Sequence, residues 1–225
     1  GLSEPGHANG DFPRPALSER LDRVLSRTKP DLIVACYGMN DGIYHPFDAE
    51  RFAKFQDGMR SLHQKAEAIG ARIIHLTPPV FDSEPIKAGT LPAGAESYPQ
   101  PYEGYDDVLA RYAEWLLSQR AEGWEVVDLH GPLKAALVAG RARDPNFRFA
   151  DDGVHLNGQG HWLIARELLR YWGVVPRDGQ QAVEIRSLPH GEDVRALVKR
   201  EQGMLKDAWL TATAHKRPGM TKGLP

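Results

Sequence analysis

Apolar residues fall along this chain in two rhythms. Short unbroken apolar runs alternate with longer stretches where apolar residues recur every three or four positions. Leu17, Leu21, Val24 and Leu25 recur at helical spacing after Pro15, which suits a first helical turn. Lys29-Pro30 predicts the end of that helix, because a residue before proline is pushed out of the helical region. Leu32–Tyr37 reads as a strand buried on both faces, as in a parallel sheet. Asp48 is placed to cap a helix running to Ile69 and closed by Gly70. Arg72-Ile-Ile-His-Leu-Thr77 is the next strand, stopped by Pro78-Pro79. Tyr105–Arg120 reads as a helix carrying Val108, Leu109, Tyr112, Trp115 and Leu116. Trp124–Leu129 is a third strand, and helices follow over Pro132–Ala139 and Gln159–Trp172.

The alternation of helix and strand predicts an α/β fold, a parallel sheet with helices on both faces. Gly1–Arg14 reads as loop. Asp82–Tyr102 is a long Pro/Gly/Ala-rich connection, a length that is usually functional or mobile. Its neighbourhood holds Phe81, Tyr98 and Tyr102, which either wall a cleft or pack the loop down, the second being favoured. The main domain is expected over 1–173. A C-terminal extension over 174–225 holds a short strand at Val183-Glu-Ile185, one helix over Glu192–Trp209 and a basic tail from His215. The tail reads as solvated rather than as a binding patch.

Composition narrows the function. The chain has 225 residues, 41% hydrophobic and 26% charged, with net charge −2. That near-neutral balance gives no electrostatic reason to expect nucleic acid. No apolar run approaches the ~20 residues of a membrane-spanning helix. No signal peptide is visible, but the first residue is Gly1, so the natural start is expected to lie upstream and the compartment stays open: cytoplasmic, periplasmic or secreted. The single Cys36 cannot form an internal disulfide and reads as a small core hydrophobe. The histidines show no H-x-x-x-H pairing and have no cysteine cluster beside them, and no glycine-rich phosphate loop follows a strand. No metal and no organic cofactor is therefore predicted.

Candidate chemistry sits at two places. Gly38-Met39-Asn40-Asp41 follows the first strand, where open α/β sheets bind ligands. Asp151-Asp152-Gly153-Val154-His155-Leu156-Asn157 precedes the helix that starts near Gln159. An imidazole titrates near neutral pH and can take and return a proton, which makes His155 the candidate general base. Asp152, three residues earlier, can bond the other ring nitrogen. The plainer alternative is that Asp152 caps a local turn beside an exposed His155. Asp41 is expected to close its turn on nearby backbone N–H groups, and Asn157 to cap the following helix.

Here the chain resembles the SGNH (GDSL-type) hydrolase family. Gly38-Met39-Asn40-Asp41 is similar to that family's third block, G-x-N-D, and Asp152-Gly153-Val154-His155 to its fifth, D-x-x-H. The two come in the family's order, and the resemblance spans about Pro15 to Trp172. It implies a three-layer α/β/α flavodoxin-like sheet of order 2-1-3-4-5, with the three strands named above as the third to fifth. It implies a serine esterase in which His155 relays protons, Asp152 orients it and Asn40 helps hold the oxyanion. Gly1-Leu2-Ser3 is similar to the second block, which offers Gly1 as a further oxyanion candidate. The family's first block, a strand ending in Gly-Asp-Ser, is not in this chain. Ser3, Ser18 and Ser83 do not end a buried strand.

Without a strand beside it, Leu32–Tyr37 becomes an exposed apolar edge, which natural proteins avoid. The chain is therefore expected to lack its N-terminal strand or strands, or to have that edge covered by a partner chain or by the C-terminal extension. The expected activity is hydrolysis of a small acyl ester, with a carbohydrate O-acetyl ester favoured. The expected partner is that small-molecule substrate, with no nucleic acid and no membrane span. The rival is a catalytically silent binding module that lacks the nucleophile. Acyl transfer to a sugar acceptor is a third possibility that the sequence does not separate from hydrolysis.

Overall fold

Strands β1 (Leu32–Cys36), β2 (Arg72–Leu76) and β3 (Glu125–Val127) form a parallel sheet in that order, in a computed structural model that describes residues 18, 20–174 and 189–214. Leu32 pairs with Arg72 and Cys36 with Leu76, and β3 joins with Ile74 opposite Glu125. Gly1, Ser3, Val183-Glu-Ile185 and the basic tail from His215 lie outside the described residues.

Local signals set the helices. In α1 (Leu21–Thr28) the chain leaves the helical region at Lys29, whose φ is 42°. Helix α2 (Ala49–Ala68) starts where Asp48 accepts a hydrogen bond from the Arg51 N–H, and Gly70 (φ 75°) follows its end. Helix α3 (Tyr105–Ser118) runs into a 3₁₀ turn, Gln119–Glu122. Helices α4 (His130–Arg141), α5 (Gly158–Tyr171) and α6 (Gly191–Ala212) complete the set.

Strand side chains alternate between two cores because the pleat has a period of two. Ala35, Ile73 and Val126 pack with Leu21 and Leu25 of α1, Phe55, Met59 and Leu62 of α2, and Leu109 and Tyr112 of α3. Ile74, Leu76 and Val127 pack on the opposite side with Leu133 and Leu137 of α4 and Leu163 of α5. The result is three layers, an α/β fold with a small parallel sheet consistent with the flavodoxin-like class.

Three expectations need correction. β1 is not buried on both faces: Ala35 is 3% exposed, but Leu32 is 41% and Val34 43% exposed. The reason is positional, since α4 and α5 cover residues of β2 and β3 only. Cys36 shares the open face and is exposed, so it is not a core hydrophobe. The third strand is shorter than expected, because Asp128 and Leu129 already turn toward α4. There Thr77 Oγ1 accepts from the backbone N–H groups of Leu129 and His130, at 2.7 and 2.9 Å.

The long connection holds a 3₁₀ segment, Glu84–Gly89. Phe81 is buried, Tyr98 bonds the Pro92 carbonyl, and Tyr98 meets Tyr102 edge-on. These aromatics pack the loop down. Helix α6 touches the main body where Arg23 Nε donates to the Thr213 carbonyl. Its Val194, Leu197, Val198, Leu205 and Trp209 are exposed among the described residues. No helix among the described residues is long and apolar enough to cross a membrane.

Candidate active site

The turn after β1 is built around Gly38, whose φ is +121° and where a Cβ would lie 2.9 Å from Pro78 Cβ. Only glycine fits that backbone beside the proline that ends the second strand. The Gly38 N–H donates to Asp41 Oδ2 at 3.0 Å, so Asp41 closes the turn. Ile43 and Tyr44 follow in the left-handed region, at φ 49° and 60°. Tyr105 Oη donates to the Met39 carbonyl at 2.7 Å, and the Tyr102 N–H donates to the Tyr44 carbonyl at 2.8 Å. Within this turn Tyr44 Oη donates to Asn40 Oδ1 at 2.9 Å.

The second segment is a tight loop before α5. Asp152 Oδ1 accepts from the backbone N–H groups of Val154 and His155, at 2.9 and 2.8 Å. Asp152 Oδ2 lies 2.6 Å from His155 Nδ1. Burial acts to raise the Asp152 carboxyl, but the bond to His155 and the two backbone N–H bonds win and hold it at about 2. A carboxylate on Nδ1 fixes the tautomer in which Nε2 is the acceptor. The His155 side chain is 81% exposed, and Nε2 has no hydrogen-bond partner among the described residues. This pair can hold one proton and pass it on at Nε2.

The loop's position comes from further away. The Asp82 N–H donates to the Gly153 carbonyl at 3.0 Å, and Gly153 has φ +76°. The Asp82 carboxylate accepts twice from Arg141 Nη2, at 2.8 and 2.6 Å, while Arg141 Nε donates to the Phe147 carbonyl. On the other flank Asn157 Oδ1 accepts from the N–H groups of Gln159 and Gly160 and caps α5.

The fold brings Asp152 and His155 into contact and places Val154, between them, on the same hydrophobic cluster as Met39 and Tyr44. Among the described residues, Asn40 makes no hydrogen bond to that pair. Gly1 lies outside the described residues. Tyr44, Asp82 and Arg141 were not singled out by sequence. Tyr44 reaches Asn40 through a turn of unusual backbone, and the Asp82–Arg141 pair spans 59 positions, so neither leaves a local signal. Among the described residues no group of three or more His, Cys, Asp and Glu side chains is placed to hold a metal ion.

The model of a family described as GDSL-like Lipase/Acylhydrolase matches residues 8–163 of the chain. No curated protein matches it. Among solved structures, a gut microbial diltiazem-metabolizing enzyme superimposes with TM-score 0.54 at 21% identity, over 72% of this chain and 37% of that one. A catalytic mutant of Axe2, an acetylxylan esterase from Geobacillus stearothermophilus, superimposes with TM-score 0.51 at 22% identity, over 71% of this chain and 67% of that one. The chain thus spans little more than a third of the first of these and two thirds of the second.

Proposed function

Because the chain belongs to the GDSL-like lipase/acylhydrolase family, we propose that it is the acid–base part of a serine esterase that hydrolyses a small acyl ester. The contact between Asp152 Oδ2 and His155 Nδ1 at 2.6 Å carries this reading. The nucleophile is a serine supplied from a segment upstream of this chain. Its hydroxyl gives its proton to His155 Nε2 as its oxygen attacks the ester carbonyl. Asp152, ionised down to about pH 2, stabilises the imidazolium. The Asn40 carboxamide donates to the oxyanion of the tetrahedral intermediate. Collapse breaks the carbonyl–alkoxy bond, and His155 returns the proton to the leaving alkoxide. Water, deprotonated by His155, then attacks the acyl-enzyme and releases the acid and the serine.

The favoured substrate is an O-acetyl ester of a carbohydrate. The acetylxylan esterase with the same fold supports that choice. A domain boundary near Gly173, with α6 as an appendage, is part of this reading, and α6 meets the main body where Arg23 Nε donates to the Thr213 carbonyl.

The test is an intact mass spectrum of the full-length natural protein before and after exposure to a fluorophosphonate. One covalent adduct that is lost in a His155→Ala variant supports the esterase. No adduct on the natural protein would replace it with a binding module that lacks the nucleophile.

A further inference from the structure

The turn from Asn40 to Tyr44 is held in a conformation that its residues do not favour. Ile43 is β-branched and sits at φ 49°, and Tyr44 follows at φ 60°. Non-glycine residues rarely adopt this region, and such strain persists only where the surroundings over-determine it. Here they do. The Tyr44 carbonyl accepts from the Tyr102 N–H, and the Tyr44 ring lies 5.0 Å from the Tyr105 ring and 6.0 Å from the Phe81 ring, centroid to centroid. Tyr105 in turn bonds the Met39 carbonyl. The fold thus bends the chain back on itself, and the bend brings the Tyr44 hydroxyl to 2.9 Å from Asn40 Oδ1.

A carboxamide has one acceptor oxygen and a two-proton donor nitrogen, nearly equal in shape. An Asn that is to donate to an oxyanion must keep its NH₂ toward the reacting carbonyl. We infer that Tyr44 is a positioning residue that fixes the side-chain amide of Asn40 by occupying its Oδ1, so that Nδ2–H₂ is committed to the developing oxyanion. This rests on the oxyanion role proposed for Asn40. Tyr44 acts through Asn40 and does not touch the substrate. Preorganised donors cost no reorganisation at the moment of reaction, which is why their orientation matters to the rate.

The experiment is a double-mutant cycle in the full-length protein, with kcat and KM measured on a small aryl acetate. Tyr44→Phe keeps the ring and its packing and removes the one hydroxyl. It should lower kcat about 3–10-fold with KM within about twofold, the scale of one lost hydrogen bond. Asn40→Ala should lower kcat by roughly 10²–10³. Adding Tyr44→Phe to Asn40→Ala should change nothing further, because the amide it orients is gone. A Tyr44→Phe loss of equal size in both backgrounds, or no loss where Asn40→Ala is costly, overturns the role of Tyr44 and leaves that of Asn40 standing. An Asn40→Ala variant with unchanged kcat overturns both. Independently of turnover, the Asn40 side-chain amide resonances should shift in Tyr44→Phe, and their constancy would equally overturn the inference.

Discussion

Arg141 Nη2 lies 2.8 and 2.6 Å from the two carboxylate oxygens of Asp82, and the Asp82 N–H holds the carbonyl of Gly153 beside His155. The Asp82 side chain is 6% exposed, so its charge is compensated almost entirely by that guanidinium. Removing one partner strands a buried charge. Arg141→Ala should therefore destabilise the protein by about 3–5 kcal/mol in urea unfolding. Replacing both partners by apolar residues, Asp82→Leu with Arg141→Met, should cost less than Arg141→Ala alone. A double variant less stable than the single one would show that the pair contributes more than charge compensation.

Asp152→Asn keeps an oxygen able to accept from the Val154 and His155 N–H groups but removes the carboxylate that fixes the ring. Turnover of an aryl acetate by the full-length protein should fall roughly 10⁴-fold. A fall of less than tenfold would remove Asp152 from the catalytic pair. The carboxyl is held at about 2, below its ordinary 3.8, so its stabilising contribution is complete above pH 3.8 and lost as pH falls through about 2.

His75 gives a different pH signature. It is fully buried on β2, stacked against His63 and Trp124, with Nε2 3.0 Å from His63 Nδ1 and its own Nδ1 without a partner. Burial, assisted by the charge of His63, pushes it down to about 3 from 6.5. In the folded protein it therefore stays neutral where the unfolded chain binds a proton. Stability from this group is complete above pH 6.5 and drains away as pH falls toward 3. Tm measured from pH 7 to pH 4 should fall more steeply for the natural protein than for His75→Phe. Parallel curves would show that His75 does not drive the acid transition.

Gly153 and Gly123 share a left-handed backbone, at φ +76° and +86°, but not their surroundings. A Cβ on Gly153 would lie 2.4 Å from the Asp82 carbonyl oxygen, whereas one on Gly123 meets nothing within 4 Å. Gly123→Ala should cost only the conformational strain, about 1 kcal/mol. Gly153→Ala should cost more and also lower kcat, because Asp82 cannot yield without disturbing Arg141. Equal losses in Tm and no change in kcat would separate the loop from catalysis.

The helices with local punctuation were legible in the sequence. Asp48 and Gly70 bracket α2, and Asn157 caps α5, because caps act within three residues of where they sit. The turn-closing role of Asp41 was legible for the same reason. What escaped depends on neighbours distant in sequence. A run of apolar residues cannot say that one face of β1 lies beyond the reach of α4 and α5, so Leu32, Val34 and Cys36 were misplaced. β3 extends two residues less than its apolar run suggests, because Thr77, just past the end of β2, captures the N–H of Leu129. Tyr44 and Arg141 act through a strained turn and a long-range ion pair, neither of which has a spacing to recognise.

Met39 and Tyr44 from one end of the chain and Val154 from the other pack on a single cluster with Phe81 and Tyr105. Neither chemical segment therefore has a private foundation. The geometry at Asn40 and that at His155 are set by one cooperative unit, which must close contacts more than a hundred residues apart before either is formed. A partly folded intermediate with native helices would be chemically inert. On heating, competence at both segments should vanish in the same transition as the core, with no window in which one outlives the other.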